Sequence, residues 1–309
     1  MPYIHETGGW PGFLWDGERL AGLLAGVRHR QGLLLGRMES LGFDLRAEAS
    51  LSILTSDVVK SSAIEGEKLD PDEVRSSIAR RLGLDAAGLP KAGRDVEGVV
   101  EMMLDATQRF GEALTAERLF GWHAALFPTG RSGMHRITVG AWRPPEAGPM
   151  RVVSGPVGRE RVHFEAPEAE RLDSEMAAFL NWFNGSSSTD PVLKAGIAHF
   201  WFVTIHPFED GNGRIARAIA DLALARSEGS SQRFYSMSAQ IRAERNAYYD
   251  QLERTQKRST DATAWILWFL DCLGRAIAGA DAVLAAVIAK GQFLERAAAV
   301  ALNDARSRC

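Results

Sequence analysis

Apolar residues recur at helical spacing along almost the whole chain, and this pattern limits the possible folds more than any other feature. Leucine, valine and methionine lie three or four positions apart over residues 20–41, and comparable stretches follow residues 46, 95 and 260. Only residues 137–164 break the pattern, because glycines, prolines and β-branched pairs there bracket a turn. We therefore predict an all-α protein with one small β-hairpin.

The length and charge narrow the class of protein further. A chain of 309 residues has room for one large domain or two small ones. Its 36 basic and 39 acidic residues leave a net charge of −3, which argues against a protein that coats nucleic acid. We expect no nucleic-acid partner.

The apolar and sulfur-containing residues bear on the cellular setting. Three charges interrupt the most apolar tract, residues 264–289, so we read it as one or two buried helices and expect no membrane association. The amino terminus lacks a basic stretch followed by an apolar run, so no signal peptide is expected. Cys272 and Cys309 have no CxxC partner, which fits a reducing cytoplasm.

The twelve residues 206–217 carry the most chemistry. An apolar helix leads into them, and a proline at the second position disfavours helical backbone at His206, so the helix should end there. Gly211 and Gly213 permit positive φ and close backbone approach, and a new helix is expected from Arg214. A glycine-rich loop that opens a helix presents free amides and the positive end of the helix dipole. Such a loop is typical of a phosphate site.

The side chains of this segment have complementary roles. Arg214 and Arg217 share a helix face and can clamp phosphate oxygens, while Asn212 can donate its amide to another. Asp210 supplies a hard oxygen ligand suited to Mg²⁺, and His206 can act as a general base. Each residue alone has an ordinary structural explanation. Together they predict a site for phosphate chemistry.

The same segment fits the signature HPFx(D/E)GNGRxxR at every specified position, and the chain resembles the Fic family. This resemblance implies a helical core with a β-hairpin flap and the transfer of AMP from ATP to a Ser, Thr or Tyr hydroxyl of a target protein. It implies that His206 deprotonates the hydroxyl and that Asp210 binds Mg²⁺. The residues implied to hold the triphosphate are Gly211, Asn212, Gly213, Arg214 and Arg217.

Two further segments are similar to parts of that family. Tyr248 and Tyr249 resemble its YYxxL element, which implies that these tyrosines approach the base and ribose of the nucleotide. The hairpin 151–164 resembles the flap that binds a target segment by strand addition. An ordinary surface hairpin remains an equal alternative from the sequence alone.

An inhibitory element also has a counterpart in this chain. Residues 61–66 fit the family pattern (S/T)xxxE(G/N), and Ser61 and Glu65 are four positions apart, so they share a helix face. Gly66 suits the position just past a helix end. By resemblance, Glu65 pairs with Arg217, which would remove a phosphate clamp and inhibit transfer.

We predict three regions: 1–90, a helical region with the inhibitory motif; 91–275, the catalytic domain; and 276–309, a helical extension. Other functions stay open at this stage: removal of AMP, transfer of another nucleotide, or an ATP-responsive regulatory module without catalysis. Self-modification and a homodimer stay open, whereas the target protein and the signal that relieves inhibition are not readable from the sequence.

Overall fold

A computed structural model describes residues 2–156, 158–257 and 259–306, with side chains in the last helix described as far as Ala289. Cys309 lies outside the described residues. The predicted mostly helical fold is confirmed. The helices are α1 Gly17–Glu39, α2 Phe43–Ile64, α3 Pro71–Arg81, α4 Arg94–Gln108, α5 Ala116–Leu126, α6 Leu172–Asn184, α7 Pro191–Ile205, α8 Asn212–Glu228, α9 Met237–Ala243, α10 Arg245–Thr255 and α11 Thr263–Arg306.

Aspartates cap the amino ends of several helices, as their positions in the sequence predict. The Asp16 carboxylate accepts from the backbone N–H of Arg19 at 3.1 Å at the start of α1. Asp70 and Asp190 cap α3 and α7 in the same way, and each is followed by a proline at the first helical position. These caps satisfy backbone donors that the helix itself leaves unpaired.

Helices α7 and α8 form the centre of the protein. Helix α7 is apolar on all sides and almost every one of its residues is buried, as expected of a helix enclosed by others. Helix α8 packs along α7 and also contacts α2, α4 and α5. Because the loop 206–211 joins these two buried helices, both of its ends are held by the core.

Helix α11, the last helix of the chain, packs against the first helix, α1. Its first half packs against α1, α2, α7, α9 and α10, so the apolar tract is one continuous helix. By length and composition alone Thr263–Ala289 could cross a membrane, and 44% of its apolar window is buried inside the protein. The predicted boundary after residue 275 falls inside this helix.

Two antiparallel hairpins complete the structure. The predicted hairpin is formed by β3 Arg151–Ser154 and β4 Arg161–Glu165, with a register shift between Val152 and Val153. A second hairpin, β1 Arg131–Ser132 with β2 His135–Arg136, lies upstream of the predicted break and was missed. Its strands are two residues long, too short to show an alternating pattern.

Candidate active site

His206 adopts a backbone conformation that side chains rarely tolerate. Helix α7 ends at Ile205, and His206 follows with φ 52° and ψ 58°, the left-handed region. Among the described residues it is the only non-glycine with positive φ. Arg143 holds this conformation, because its Nε donates to the His206 carbonyl at 2.9 Å and its backbone N–H donates to the Pro207 carbonyl at 2.8 Å. Strain of this kind, typically about 1–3 kcal/mol, is common at functional sites.

The imidazole of His206 is set up to accept a proton. Its Nδ1 lies 3.0 Å from the Val203 carbonyl, which can only accept, so Nδ1 carries the hydrogen and Nε2 keeps a free lone pair. Burial lowers the pKa of His206 and outweighs the hydrogen bond to Val203, which raises it; the Arg143 guanidinium lowers the pKa further, against smaller opposing effects of Glu65 and Asp210. The ring is therefore neutral near pH 7, the form that a general base needs.

The loop ends at the amino terminus of helix α8, whose free amides can bind an anion. Gly211 has φ 81° and precedes α8, which begins at Asn212, two residues earlier than the predicted start at Arg214. Gly211 is also required for space, since an added Cβ would lie 2.9 Å from the Phe127 ring. The first amides of α8 have no partner within the helix, so they can bind phosphate oxygens.

The Asn212 side chain closes the loop upon itself. It is 2% exposed, accepts from the Phe208 N–H at 3.0 Å and donates to the Phe208 carbonyl at 2.8 Å. The amide thus braces the loop, and its contact with a nucleotide phosphate stays a prediction.

Asp210 presents a carboxylate beside the same helix end. Its Oδ1 accepts from the Gly211 N–H at 2.6 Å, and its Oδ2 accepts from the Ser132 hydroxyl of the upstream hairpin. The described residues contain no group of three acidic, histidine or cysteine side chains that could hold a metal alone. A single carboxylate still fits Mg²⁺, which commonly binds through one or two carboxylates together with substrate phosphates.

Arg217 is occupied by residues of α2. Its Nε donates to the Ser61 hydroxyl at 2.9 Å and its Nη2 to the Ser61 carbonyl at 3.0 Å. The expected ion pair is present, with Nη2 2.8 Å from Glu65 Oε1, and the Arg217 side chain is 1% exposed. A Cβ added to Gly213 would lie 2.1 Å from the same Glu65 oxygen, so the carboxylate sits on the first turn of α8.

Arg214 has an acidic partner that the sequence reasoning missed. Its Nη1 lies 2.5 Å from Glu67 Oε2, and its side chain is 3% exposed. The guanidinium also lies over the Phe127 ring, 5.1 Å from the centroid. The only trace of this contact in the sequence is a second glutamate two residues after Glu65.

The two tyrosines of α10 differ in position. Tyr248 is buried, and its hydroxyl shares a hydrogen bond of 2.9 Å with His199 Nε2. Tyr249 is half-buried, and its hydroxyl donates to Glu65 Oε2 at 3.4 Å. Tyr249 therefore belongs to the Glu65 cluster, and the contact of both tyrosines with the base and ribose stays a prediction.

The β3–β4 hairpin, which we call the flap, is tied to α10. Glu253 lies 2.8 Å from the Arg161 guanidinium and 2.6 Å from His163 Nδ1. Partial burial tends to raise the pKa of Glu253, but hydrogen bonds from Lys257, His163 and Arg161 lower it to about 2, so the carboxylate is ionised. The flap thereby keeps a fixed position while Val153 and Val162 stay exposed.

Two segments of the chain match known protein families. Residues 113–224 match the Fic/DOC family, and residues 3–84 match a domain of unknown function, DUF4172. The histidine loop 206–211 and α8 as far as residue 224 lie inside the segment that matches the Fic/DOC family.

Curated relatives are named protein adenylyltransferases. One from Caenorhabditis briggsae is 31% identical over 173 residues, which cover 55% of this chain and 31% of that protein. Another from Culex quinquefasciatus is 26% identical over 223 residues, covering 71% and 40% respectively. The chain thus spans about a third of the length of the nematode relatives that it matches.

Solved structures share the fold. A Fic family protein from Desulfovibrio desulfuricans G20 aligns with a TM-score of 0.61 and 24% identity, over 84% of this chain and 74% of its own. A Fic domain containing signaling protein from Bacteroides thetaiotaomicron aligns with a TM-score of 0.61 and 18% identity, over 84% and 97%. At these identities the likeness concerns the fold alone.

Proposed function

We propose that this protein transfers AMP from ATP to a hydroxyl group of a target protein. The observation that carries the proposal is the position of a neutral histidine, with Nε2 free, beside a helix end that offers amides and two arginines. The names of the curated relatives support the same activity.

The proposed step is a displacement at the α-phosphorus. His206 Nε2 takes the proton of the attacking hydroxyl, a bond forms between that oxygen and the α-phosphorus, and the bond to the β-phosphate oxygen breaks to release pyrophosphate. The amides of α8 with Arg214 and Arg217 hold the phosphates in place. Catalysis then depends mainly on positioning and charge neutralisation. Bound at Asp210, Mg²⁺ would neutralise charge on the leaving group.

Glu65 is proposed to inhibit this reaction in the resting protein. Its carboxylate takes the Arg217 donor that a phosphate would use and sits on the first turn of α8. A negative charge at that point repels a nucleotide phosphate and keeps the triphosphate from a productive position. Inhibition therefore follows from occupancy of the same anion site.

The Glu65→Gly variant tests the proposal. Incubated with ATP labelled at the α-phosphate, the variant should modify itself or a host-lysate protein at least tenfold faster than wild type. Mass spectrometry would identify the nucleotide and the acceptor. The proposal fails if the variant binds Mg-ATP but transfers no nucleotide to any protein.

Removal of AMP is the second candidate, and the position of Glu65 favours it. The Glu65 carboxylate, which packs against the first turn of α8, is placed to orient water towards a bound AMP group. Release of AMP from a modified target by wild type, lost in Glu65→Gly, would support this reaction. Release by neither protein would leave AMP transfer as the sole activity.

The flap is the proposed docking surface for the target, because the described part of the chain adds no third strand to it and Val153 and Val162 are exposed. We propose the cytoplasm as the setting, which the free, buried thiol of Cys272 supports.

Self-modification would need a second copy of the chain or a flexible segment to reach His206.

A further inference from the structure

Two acidic residues from one short segment each pair with one of the two arginines of α8. Glu65 pairs with Arg217 at 2.8 Å, and Glu67 pairs with Arg214 at 2.5 Å. Both guanidinium groups are almost fully buried, whereas the carboxylates are 31% and 45% exposed. The phosphate clamps of the proposed active site are therefore both occupied by side-chain anions.

The end of α2 fixes the positions of the two acids. The Gly66 N–H donates to the Ala63 carbonyl at 3.3 Å, and the Glu67 N–H donates to the Ser62 carbonyl at 3.1 Å. With Gly66 at φ 90°, these bonds form the Schellman motif that ends many helices. The motif reverses the chain between Glu65 and Glu67, which lets both carboxylates reach α8.

Glu67 is more than a solvated surface acid. The pKa of Glu67 is raised, chiefly by burial and with help from neighbouring carboxylates, although the Arg214 charge lowers it; the carboxylate is therefore partly desolvated against this partner. Arg214 Nε and Arg217 Nη1 are buried and have no hydrogen-bond partner among the described residues. Each guanidinium thus keeps an unused donor beside the carboxylate that it holds, as expected of groups suited to an anion with more oxygens.

We propose that Glu67 is a second lock, which holds Arg214 in the resting protein and must be displaced when the nucleotide phosphates bind. This inference rests on the proposed function, since it takes the bound anion to be the triphosphate of ATP. Releasing Glu65 alone then frees Arg217 but leaves Arg214 neutralised. Full affinity for the nucleotide requires the loss of both acidic contacts.

Calorimetric binding of Mg²⁺ with α,β-methylene-ATP, which cannot be cleaved at the transferred bond, tests the lock. The Glu65→Gly/Glu67→Gln protein should bind this analogue about three- to fivefold more tightly than Glu65→Gly, the upper part of the range for a half-exposed ion pair. Asp72→Asn in the Glu65→Gly background is the matched control, because Asp72 is an exposed acid in α3 without a contact to either arginine. Its affinity should change less than twofold.

Equal affinity of Glu65→Gly and Glu65→Gly/Glu67→Gln would overturn the lock. So would an equal gain from Glu67→Gln when Arg214 is replaced by alanine, because the effect would then be a general loss of negative charge. Binding heat does not depend on catalysis. A gain in affinity without any AMP transfer would therefore refute the proposed function and leave the lock in place, whereas transfer without a gain refutes only the lock.

Discussion

The Glu65→Gly variant should be less stable than wild type when empty, yet gain more stability from nucleotide. Breaking a buried ion pair costs about 3–5 kcal/mol, and an exposed pair is worth about 0–1 kcal/mol. The Arg217 side chain is 1% exposed and that of Glu65 31%, and Arg217 keeps both bonds to Ser61. We therefore expect a loss of about 1–2 kcal/mol, or roughly 1.5–3 °C in Tm for a chain of 309 residues.

Bound nucleotide should remove the difference in stability between the Glu65→Gly variant and wild type. In wild type the phosphates must first displace Glu65, whereas in the variant Arg217 is already free. A ligand at 100 times its Kd stabilises a protein by about 2.7 kcal/mol, so both effects are measurable. Thermal denaturation with and without Mg²⁺ and α,β-methylene-ATP should give a larger ligand-induced rise in Tm for the variant, by about the same 1.5–3 °C.

The control for this experiment is Asp72→Asn, which removes a negative charge from exposed surface and should leave both Tm values unchanged. Equal ligand-induced shifts in Glu65→Gly and wild type would refute the reasoning, because they would mean that Glu65 and the nucleotide do not compete for Arg217.

Further predictions concern the helix end, the base and the loop. Gly66→Ala puts a side chain at φ 90°, which costs about 1–2 kcal/mol and displaces the Glu65 and Glu67 carboxylates. The Tm should therefore fall while the affinity for α,β-methylene-ATP rises. A lower Tm with unchanged affinity would contradict this prediction. In the pH profile of kcat/KM for Glu65→Gly, the acid limb should have its midpoint below the ordinary histidine pKa of about 6.5. The reason is that burial and Arg143 lower the pKa of His206, so the ring stays neutral to lower pH. A midpoint above pH 7 would exclude His206 as the base. Asn212→Ala should cost about 1–3 kcal/mol in chemical denaturation, since it leaves both Phe208 backbone groups without their partner; a change below 0.5 kcal/mol would show that the amide does not brace the loop.

Features set by local sequence were predictable. The helices follow from apolar periodicity and from aspartate–proline starts, and the end of α7 follows from the proline after His206. The Glu65–Arg217 contact was expected by resemblance, and the helical spacing of Ser61 and Glu65 agrees with it, since both reach the same guanidinium. The roles of the site residues in catalysis remain predictions.

Features set by tertiary packing were not predictable. The direction of the Asn212 amide depends on how the loop folds back on Phe208, and the burial of Tyr248 depends on His199 in a different helix. Likewise, Glu67 becomes a partner of Arg214 only when the end of α2 is placed against α8. A pattern in one segment carries no information about such contacts.

The most direct test of the account is the effect of His206→Ala in the Glu65→Gly background, with AMP transfer and binding of α,β-methylene-ATP measured in parallel. We predict that kcat falls by about 10²–10⁴-fold, the usual contribution of a general base, while the Kd for the analogue changes less than threefold. Unchanged kcat, or a loss of nucleotide binding equal to the loss of activity, would contradict a base that stands beside the phosphate cradle without being part of it.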